Sequence, residues 1–350
     1  MKEQYTAIIP AFNAADTILE LVYSLMRLKK PPSEIIVIDD ASTDQTNKLL
    51  QSIEEVKLLR LQKNSGPGFA RNLGAQNAKT KWLLFIDSDC ELPSSSIENA
   101  FPTVEEEKNS IVGIMGVFDI KEENNNSILG YKNMQRHFEI KAMKNPPEVF
   151  SSSCFTIRKK SFLECGGFND SYGKTPTEDN EFYFRLLKKN LFIKYNTDFC
   201  FFHHKKMSLK TLIYDDFKRT RAIIYNLFGK LGEKRNKISR KELIKWLIEL
   251  ASGFCITIIL ISLPIFILIL PRIYINIILP SLIIFGCNMT LINYKFLKYS
   301  QNKGGIKMLI KHLLLRIFEM VIATTGILIT FIELILLYLS NNKETKLNDW

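Results

Sequence analysis

The run Trp82-Leu83-Leu84-Phe85-Ile86-Asp87-Ser88-Asp89 constrains this chain more than any other stretch. Five apolar residues without interruption stop at two carboxylates one residue apart. An unbroken apolar run of this kind reads as a strand buried on both faces, as in a parallel sheet. Asp87 and Asp89 then stand at its carboxyl end, where open α/β sheets place their ligands. Two hard oxygen donors there suit a divalent cation that holds a diphosphate. Asp-Ser-Asp is also ordinary turn chemistry, so the spacing alone leaves a cation site and a plain turn both open.

The N-terminal residues supply the rest of such a sheet. Tyr5 to Ile9 is a short apolar run ended by Pro10, and Asn13-Ala14-Ala15-Asp16 leads into Ile18, Leu21, Val22, Leu25 and Leu28 at helical spacing. Ile35-Ile36-Val37-Ile38 ends in Asp39-Asp40. Ser42, Thr43 and Asp44 then open a helix with Leu49, Leu50 and Ile53 on its apolar face. Val56 to Leu61 reads as a third strand, and Gly66-Pro67-Gly68 turns the chain into a helix carrying Arg71 and Asn72. Strands and helices alternating with short links predict a parallel sheet wrapped by helices. Asn124-Asn125-Asn126 and Asn145-Pro146-Pro147 mark loops, the segment between them bordering an acceptor cleft, and Ser151 to Ile157 returns to the sheet.

Ile8-Ile9-Pro10-Ala11-Phe12-Asn13, Ile36 to Asp44 and Asp87-Ser88-Asp89 resemble motifs of family 2 glycosyltransferases of the GT-A fold. Gly166-Gly167-Phe168-Asn169 and Glu178-Asp179 with Phe182 to Leu187 continue the pattern in order, so the resemblance covers roughly the first two thirds of the chain. It implies a GT-A domain over residues 1–204, a Rossmann-like mixed α/β sheet that handles nucleotide-diphosphate sugars. Under it Pro10, Ala11, Phe12 and Asp40 hold the nucleotide base and ribose, with Asp39 equally open to a structural role. Arg71 supplies a cation near the nucleotide. Asp87, Ser88 and Asp89 bind donor and metal, Mg2+ or Mn2+, with Asp89 the direct ligand. His203 helps to hold the metal-diphosphate, although His203-His204-Lys205-Lys206 also reads as a basic surface turn. Asp179 takes the position of the catalytic base, with Glu178 in support.

Physical chemistry gives Asp179 a case of its own. Thr175-Pro176-Thr177-Glu178-Asp179 reads as a loop entering a helix, and a carboxylate in the first turn is stabilised by free N–H groups and the dipole. That environment suits a plain capping residue equally well. If Asp179 is the base, it removes the proton of an acceptor hydroxyl as that oxygen attacks the anomeric carbon, which inverts the centre. No Gln-x-x-Arg-Trp motif occurs, so transfer of one sugar at a time is expected. A lipid-linked saccharide of cell-envelope glycan or glycoconjugate synthesis is the first acceptor. A polyprenyl phosphate is the alternative, since an ionised phosphate needs little help from a base. A non-catalytic nucleotide-binding membrane scaffold and a nucleotidyltransferase are the other classes, but nothing resembles the latter's Gly-rich phosphate loop.

The last third changes character. Residues 246–270, 273–292 and 317–339 are apolar stretches long enough to cross a bilayer at ~20 residues per span. Residues 1–200 carry 25 basic and 27 acidic side chains, whereas 201–245 carry 13 and 4. The basic excess behind the net charge of +11 therefore lies mainly just before the first span. That pattern argues for membrane lipids as partners and against nucleic acid. The expected chain is a GT-A domain, basic amphipathic helices over 205–245, an α-helical transmembrane region over 246–340, and a polar tail at 341–350. It is multi-pass in the cytoplasmic membrane, with the catalytic domain facing the cytoplasm and no signal peptide before Tyr5. The six cysteines show no metal spacing and read as free thiols.

Overall fold

Runs that are apolar without alternation become strands buried on both sides. These are β1 (Tyr5–Ala11), β2 (Glu34–Asp39), β3 (Val56–Arg60) and β4 (Trp82–Ile86). They lie parallel in the order β3-β2-β1-β4. The computed structural model describes residues 4–119, 127–147, 150–170, 178–205, 207–228, 290–291 and 293–339. Helices α1 (Ile18–Met26), α2 (Thr46–Gln51) and α3 (Pro67–Asn77) connect the four strands. The chain runs outward from β1 to β3 and returns to β4 on the other side of β1. The topological switch point thus falls between β1 and β4, and a crevice opens at their carboxyl ends.

The second half of the sheet is not parallel throughout. After β5 (Cys90–Glu91), α4 (Val104–Lys108), β6 (Ile111–Phe118) and α5 (Ile128–Ala142), β7 (Cys154–Arg158) runs antiparallel to both β4 and β6. Helices α6 (Lys159–Glu164) and α7 (Glu178–Lys188) precede β8 (Phe192–His203), which pairs parallel with β6 and antiparallel with β5. The result is an eight-stranded mixed sheet, β3-β2-β1-β4-β7-β6-β8-β5.

Two local expectations shift. β1 continues through Pro10 to Ala11, in register with Ile38 and Asp39, because a proline removes a single ladder donor and sits here at the strand's end. Helix α2 begins at Thr46 and not at Ser42; Asp44 Oδ1 accepts from Thr46 N–H at 2.9 Å at the helix start, while Ser42 and Thr43 bind the turn after β1. Asn13 N–H donates to Ser42 Oγ, Thr43 N–H to Asn13 Oδ1, and Ala15 N–H to Asp44 Oδ2. The turns after β1 and β2 are thereby stitched into one unit.

An aromatic cluster lies under the second half. Phe85 stacks on Phe155 at 4.9 Å between centroids and meets Phe162 at 4.9 Å and Phe168 at 6.1 Å. Phe182 of α7 packs on Phe168 at 4.9 Å and on Phe162 at 5.2 Å. The apolar face of α7 is thus fixed to β4, β7 and α6.

The chain divides into two compact units, Met1–Lys206 and Met207–Trp350. In the second, α8 (Leu209–Phe228) is one continuous helix, and α9 (Tyr294–Leu339) is interrupted at Gly304 and Gly305. Among the described residues no helix is long and apolar enough to cross a membrane. The expected spans 246–270 and 273–292 lie outside the described residues apart from 290 and 291, as do residues 120–126, 171–177 and 229–245 and the expected tail 341–350. The third, 317–339, falls in α9 and gains no support there. Glu319 and Glu333 interrupt its apolar run, paired with Arg316 at 3.3 Å and with Arg221 of α8 at 2.7 Å.

Phe85→Ala should cost roughly 3–5 kcal/mol, because a large, fully buried ring at the centre of the cluster leaves a cavity that α7 and β7 cannot refill. Thermal unfolding of the full chain, followed by near-ultraviolet circular dichroism, measures it.

Candidate functional site

The floor of the crevice is built by the two carboxylates that end β2. Asp39 accepts from Ser42 N–H at 2.9 Å and Asn47 Nδ2 at 3.0 Å, and pairs with Arg60 at 3.5 Å. It holds the β2 turn, in which Ala41 adopts a left-handed φ of 61°. That conformation costs an alanine about 1–2 kcal/mol and persists because its flanks are pinned. Asp40 is buried and accepts from Ser65 N–H at 2.7 Å and Gly66 N–H at 2.8 Å, which ties the start of α3 to β2. Pro10 and Ala11 are buried, whereas Phe12 is 48% exposed and turns its ring outward at the mouth of the crevice.

Asp87 and Asp89 leave β4 towards different partners. Asp87 accepts from Arg71 Nη2 at 2.6 Å, while Asp89 Oδ2 lies 3.3 Å from His203 Nε2. Ser88, between them, is partly buried. Burial pushes the Asp87 carboxyl up, and the Arg71 guanidinium restores only part of that shift because the Asp89 charge opposes it. Burial also acts on Asp89, but the His203 hydrogen bond and the charges of His203 and Lys205 outweigh it and hold Asp89 below the usual carboxylate range. Of the two, Asp89 is the carboxylate that its surroundings favour in the charged form.

The wall opposite is the first turn of α7. Glu178 is 8% exposed, and burial together with the neighbouring Asp179 charge raises its carboxyl to about 7, against the pull of Arg71. Burial raises Asp179 as well, offset in part by Asn180 N–H, which donates to Asp179 Oδ1 at 2.8 Å. The glycine-rich turn before α7 is held from α3. Asn72 Nδ2 donates to Phe168 O at 2.8 Å, and Phe168 N–H donates back to Asn72 Oδ1 at 2.8 Å. Gly167 has φ 63°, and a Cβ on it would collide with Asn72 Oδ1, so glycine is required there on both counts.

Asp89 and His203 offer a carboxylate oxygen and an imidazole nitrogen on one side of the crevice, a donor set that suits Mn2+ and, through its oxygen, Mg2+. Asp87 is drawn off toward Arg71. A second group went unrecognised in the sequence. Glu20, Glu91 and His204 each present a ligand atom within 4.8 Å of the others. His204 Nε2 meets Glu91 Oε2 at 2.8 Å, and the backbone N–H of His204 donates to Asp89 O at 2.7 Å. The adjacency of two histidines was the available signal; the contribution of Glu20 from α1 was not legible. A cleft of about 660 Å³ lined by Phe69, Asn72, Phe168, Glu181 and Arg185, among others, lies beside α3 and α7, and none of the site carboxylates lines it. Cys90, Cys154, Cys165 and Cys200 are free thiols.

The raised Glu178 carboxyl has a consequence for stability. Its folded value of about 7 lies above the ordinary 4.5, so the folded chain holds a proton that the unfolded chain has released between those limits. Its contribution to stability therefore falls as pH rises through that window. Glu178→Gln removes the dependence, and the melting temperature of the variant relative to the parent should increase from about pH 5 to about pH 8. A difference independent of pH would mean that Glu178 is ionised throughout.

Residues 6–167 match the family model described as glycosyl transferase family 2. Among curated proteins, the succinoglycan biosynthesis protein ExoO of Rhizobium meliloti is 38% identical over 86 residues, 24% of this chain and 25% of that protein. The Bacillus subtilis protein TuaG, described as a putative teichuronic acid biosynthesis glycosyltransferase, is 34% identical over 28% of this chain and 40% of its own length. The Escherichia coli protein WfaP, a UDP-Glc:alpha-D-GlcNAc-diphosphoundecaprenol beta-1,3-glucosyltransferase, is 33% identical over 30% of this chain and 43% of its own. Each match thus spans less than half of the relative's length. Among solved structures, the mannosyltransferase PcManGT from Pyrobaculum calidifontis, in complex with GDP-Man and Mn2+, superposes with a TM-score of 0.52 at 16% identity, over 67% of this chain and 66% of that one. Residues 6–167 of this chain thus resemble glycosyl transferase family 2, and they lie on a GT-A-like mixed sheet.

Proposed function

We propose that this chain is an inverting glycosyltransferase that moves a single sugar from a nucleotide-diphosphate sugar to a hydroxyl acceptor. The acceptor is a lipid-linked saccharide in cell-envelope glycan or glycoconjugate synthesis. One observation carries the reading: Arg71 spans Asp87 at the end of β4 and Glu178 at the start of α7, which brings the donor carboxylates and the Glu178–Asp179 pair to one crevice. The diphosphoundecaprenol-linked sugar in the name of WfaP supports the acceptor class. The GDP-Man and Mn2+ in the PcManGT complex support the donor class and a divalent metal.

Each residue then has a task. Phe12 offers its exposed ring to the nucleotide base at the mouth of the crevice. Asp89 and His203 hold the metal, Mg2+ or Mn2+, which when bound neutralises charge on the departing nucleoside diphosphate. Asp179 accepts the proton of the acceptor hydroxyl as that oxygen attacks the anomeric carbon from the face opposite the leaving group. The carbon–oxygen bond to the diphosphate breaks as the new one forms, so the centre inverts. Holding donor and acceptor in line supplies much of the acceleration.

Membrane anchorage belongs to the same reading. The apolar stretches 246–270 and 273–292, preceded by the basic excess of 201–245, support a cytoplasmic-face enzyme anchored in the cytoplasmic membrane. A third crossing at 317–339 would leave residues 341–350 on the far side. A cysteine introduced at Asn342 should then react with an impermeant maleimide in intact cells. Reaction only after lysis would leave a two-span hairpin.

A donor screen on purified protein with membrane lipids, read by release of free nucleoside diphosphate, tests the activity. Asp89→Ala should weaken metal-dependent donor binding and abolish turnover. Asp179→Asn should keep donor and metal affinity while turnover falls by about 10²–10⁴-fold, the loss typical of a missing general base. An Asp179→Asn protein with near-normal turnover would reduce that residue to a helix cap.

A further inference from the structure

Arg71 stands where the donor side and the acceptor side of the crevice meet. It is 3% exposed, with Nη2 at 2.6 Å from Asp87 Oδ1, Nη1 at 3.9 Å from Glu178 Oε1, and its guanidinium 5.4 Å from the centroid of the Phe168 ring. Among the described residues Nη1 and Nε have no hydrogen-bond partner, and neither does Glu178 Oε2, although all three atoms are buried. Idle buried donors and acceptors are costly, so folding alone does not favour this arrangement.

We propose that Arg71 is a positioning residue that couples the two carboxylate sites. It orients Asp87 at the donor end and, through Glu178, sets the first turn of α7 that presents Asp179. This rests on the transferase reading above. The scaffold suits the task, because Arg71 rides on a helix held from both sides. A Cβ at Gly74 of α3 would overlap Ile8 of β1, so helix and sheet are in direct contact. Asn72, next along the helix, fixes the turn at Phe168 and Asp170. The guanidinium fork can address two carboxylates at fixed angles, whereas an ammonium on a flexible stem acts as a point charge and holds one. Asp87 itself bonds Arg71 and the backbone of Ser153, and its hydrogen bonds reach no residue of α7.

Hydrogen exchange on the full chain tests the coupling without any substrate. Arg71→Lys and Asp87→Asn should each speed amide exchange at residues 182–186 of α7 by roughly tenfold, while Asp89→Asn, an equally conservative change one residue away from the pair, leaves it as in the parent. Unchanged exchange in Arg71→Lys and Asp87→Asn, or an equal effect from Asp89→Asn, overturns the proposal. Kinetics with the nucleotide sugar identified in the donor screen give the second readout. Arg71→Lys should lower kcat and leave the donor KM nearly unchanged, and Arg71→Lys/Glu178→Gln should lose no more than the worse single variant. Multiplying losses, or a raised KM with kcat preserved, would make Arg71 an ordinary donor ligand. A parent protein that releases nucleoside diphosphate from no donor sinks the transferase reading, and the exchange experiment still decides the coupling.

Discussion

The constraint on which this architecture depends is the burial of β1, β2 and β4 on both faces. A strand covered by helices on either side has no flank on which to display a polar group, so its chemistry must emerge at its ends. Here the three deliver their crevice residues at the carboxyl end: Phe12-Asn13 after β1, Asp39-Asp40 across the end of β2, Asp87-Ser88-Asp89 after β4. Because the strands are parallel and adjacent, those ends converge. The crevice is a consequence of topology before it is a consequence of any side chain.

Within that crevice the acidic residues divide by the partners they find. Asp39 and Asp40 hold backbone N–H groups, Asp87 an arginine, and Asp89 a histidine. Four carboxylates of one chemical type thereby carry different work: two close the loops, one ties the end of β4 to α3, and one lies beside an imidazole. Burial raises a carboxyl and a local donor lowers it, and the balance differs from site to site.

Much of this was legible in the residues. The uninterrupted runs Ile35–Ile38 and Trp82–Ile86 predicted buried parallel strands, and Glu178-Asp179 before Phe182 predicted the start of α7. What escaped was long-range. The antiparallel return of β7 between β4 and β6 follows from packing of Phe155 on Phe85 across a separation that no local pattern reports. Ser42, Thr43 and Asp44 look like a helix start, because the hydroxyls and carboxylate that cap a helix are the same groups that bind a neighbouring turn. Arg71 reads in sequence as a cation for the nucleotide, and its burial against Phe168 depends on a residue far along the chain. Glu20 was invisible as a partner of His204 for the same reason.

The pairing of His203 and His204 carries one more consequence. Successive side chains at the end of a strand point to opposite faces, so one imidazole reaches Asp89 and the next reaches Glu91, with Glu20 close by. The two are therefore not spare copies of each other, despite standing side by side. A one-residue deletion between Cys200, where β8 regains its register with β6, and His203 would swap their faces and put each ring against the other's acidic neighbour. The length of that short stretch is therefore as much a part of the site as its residues.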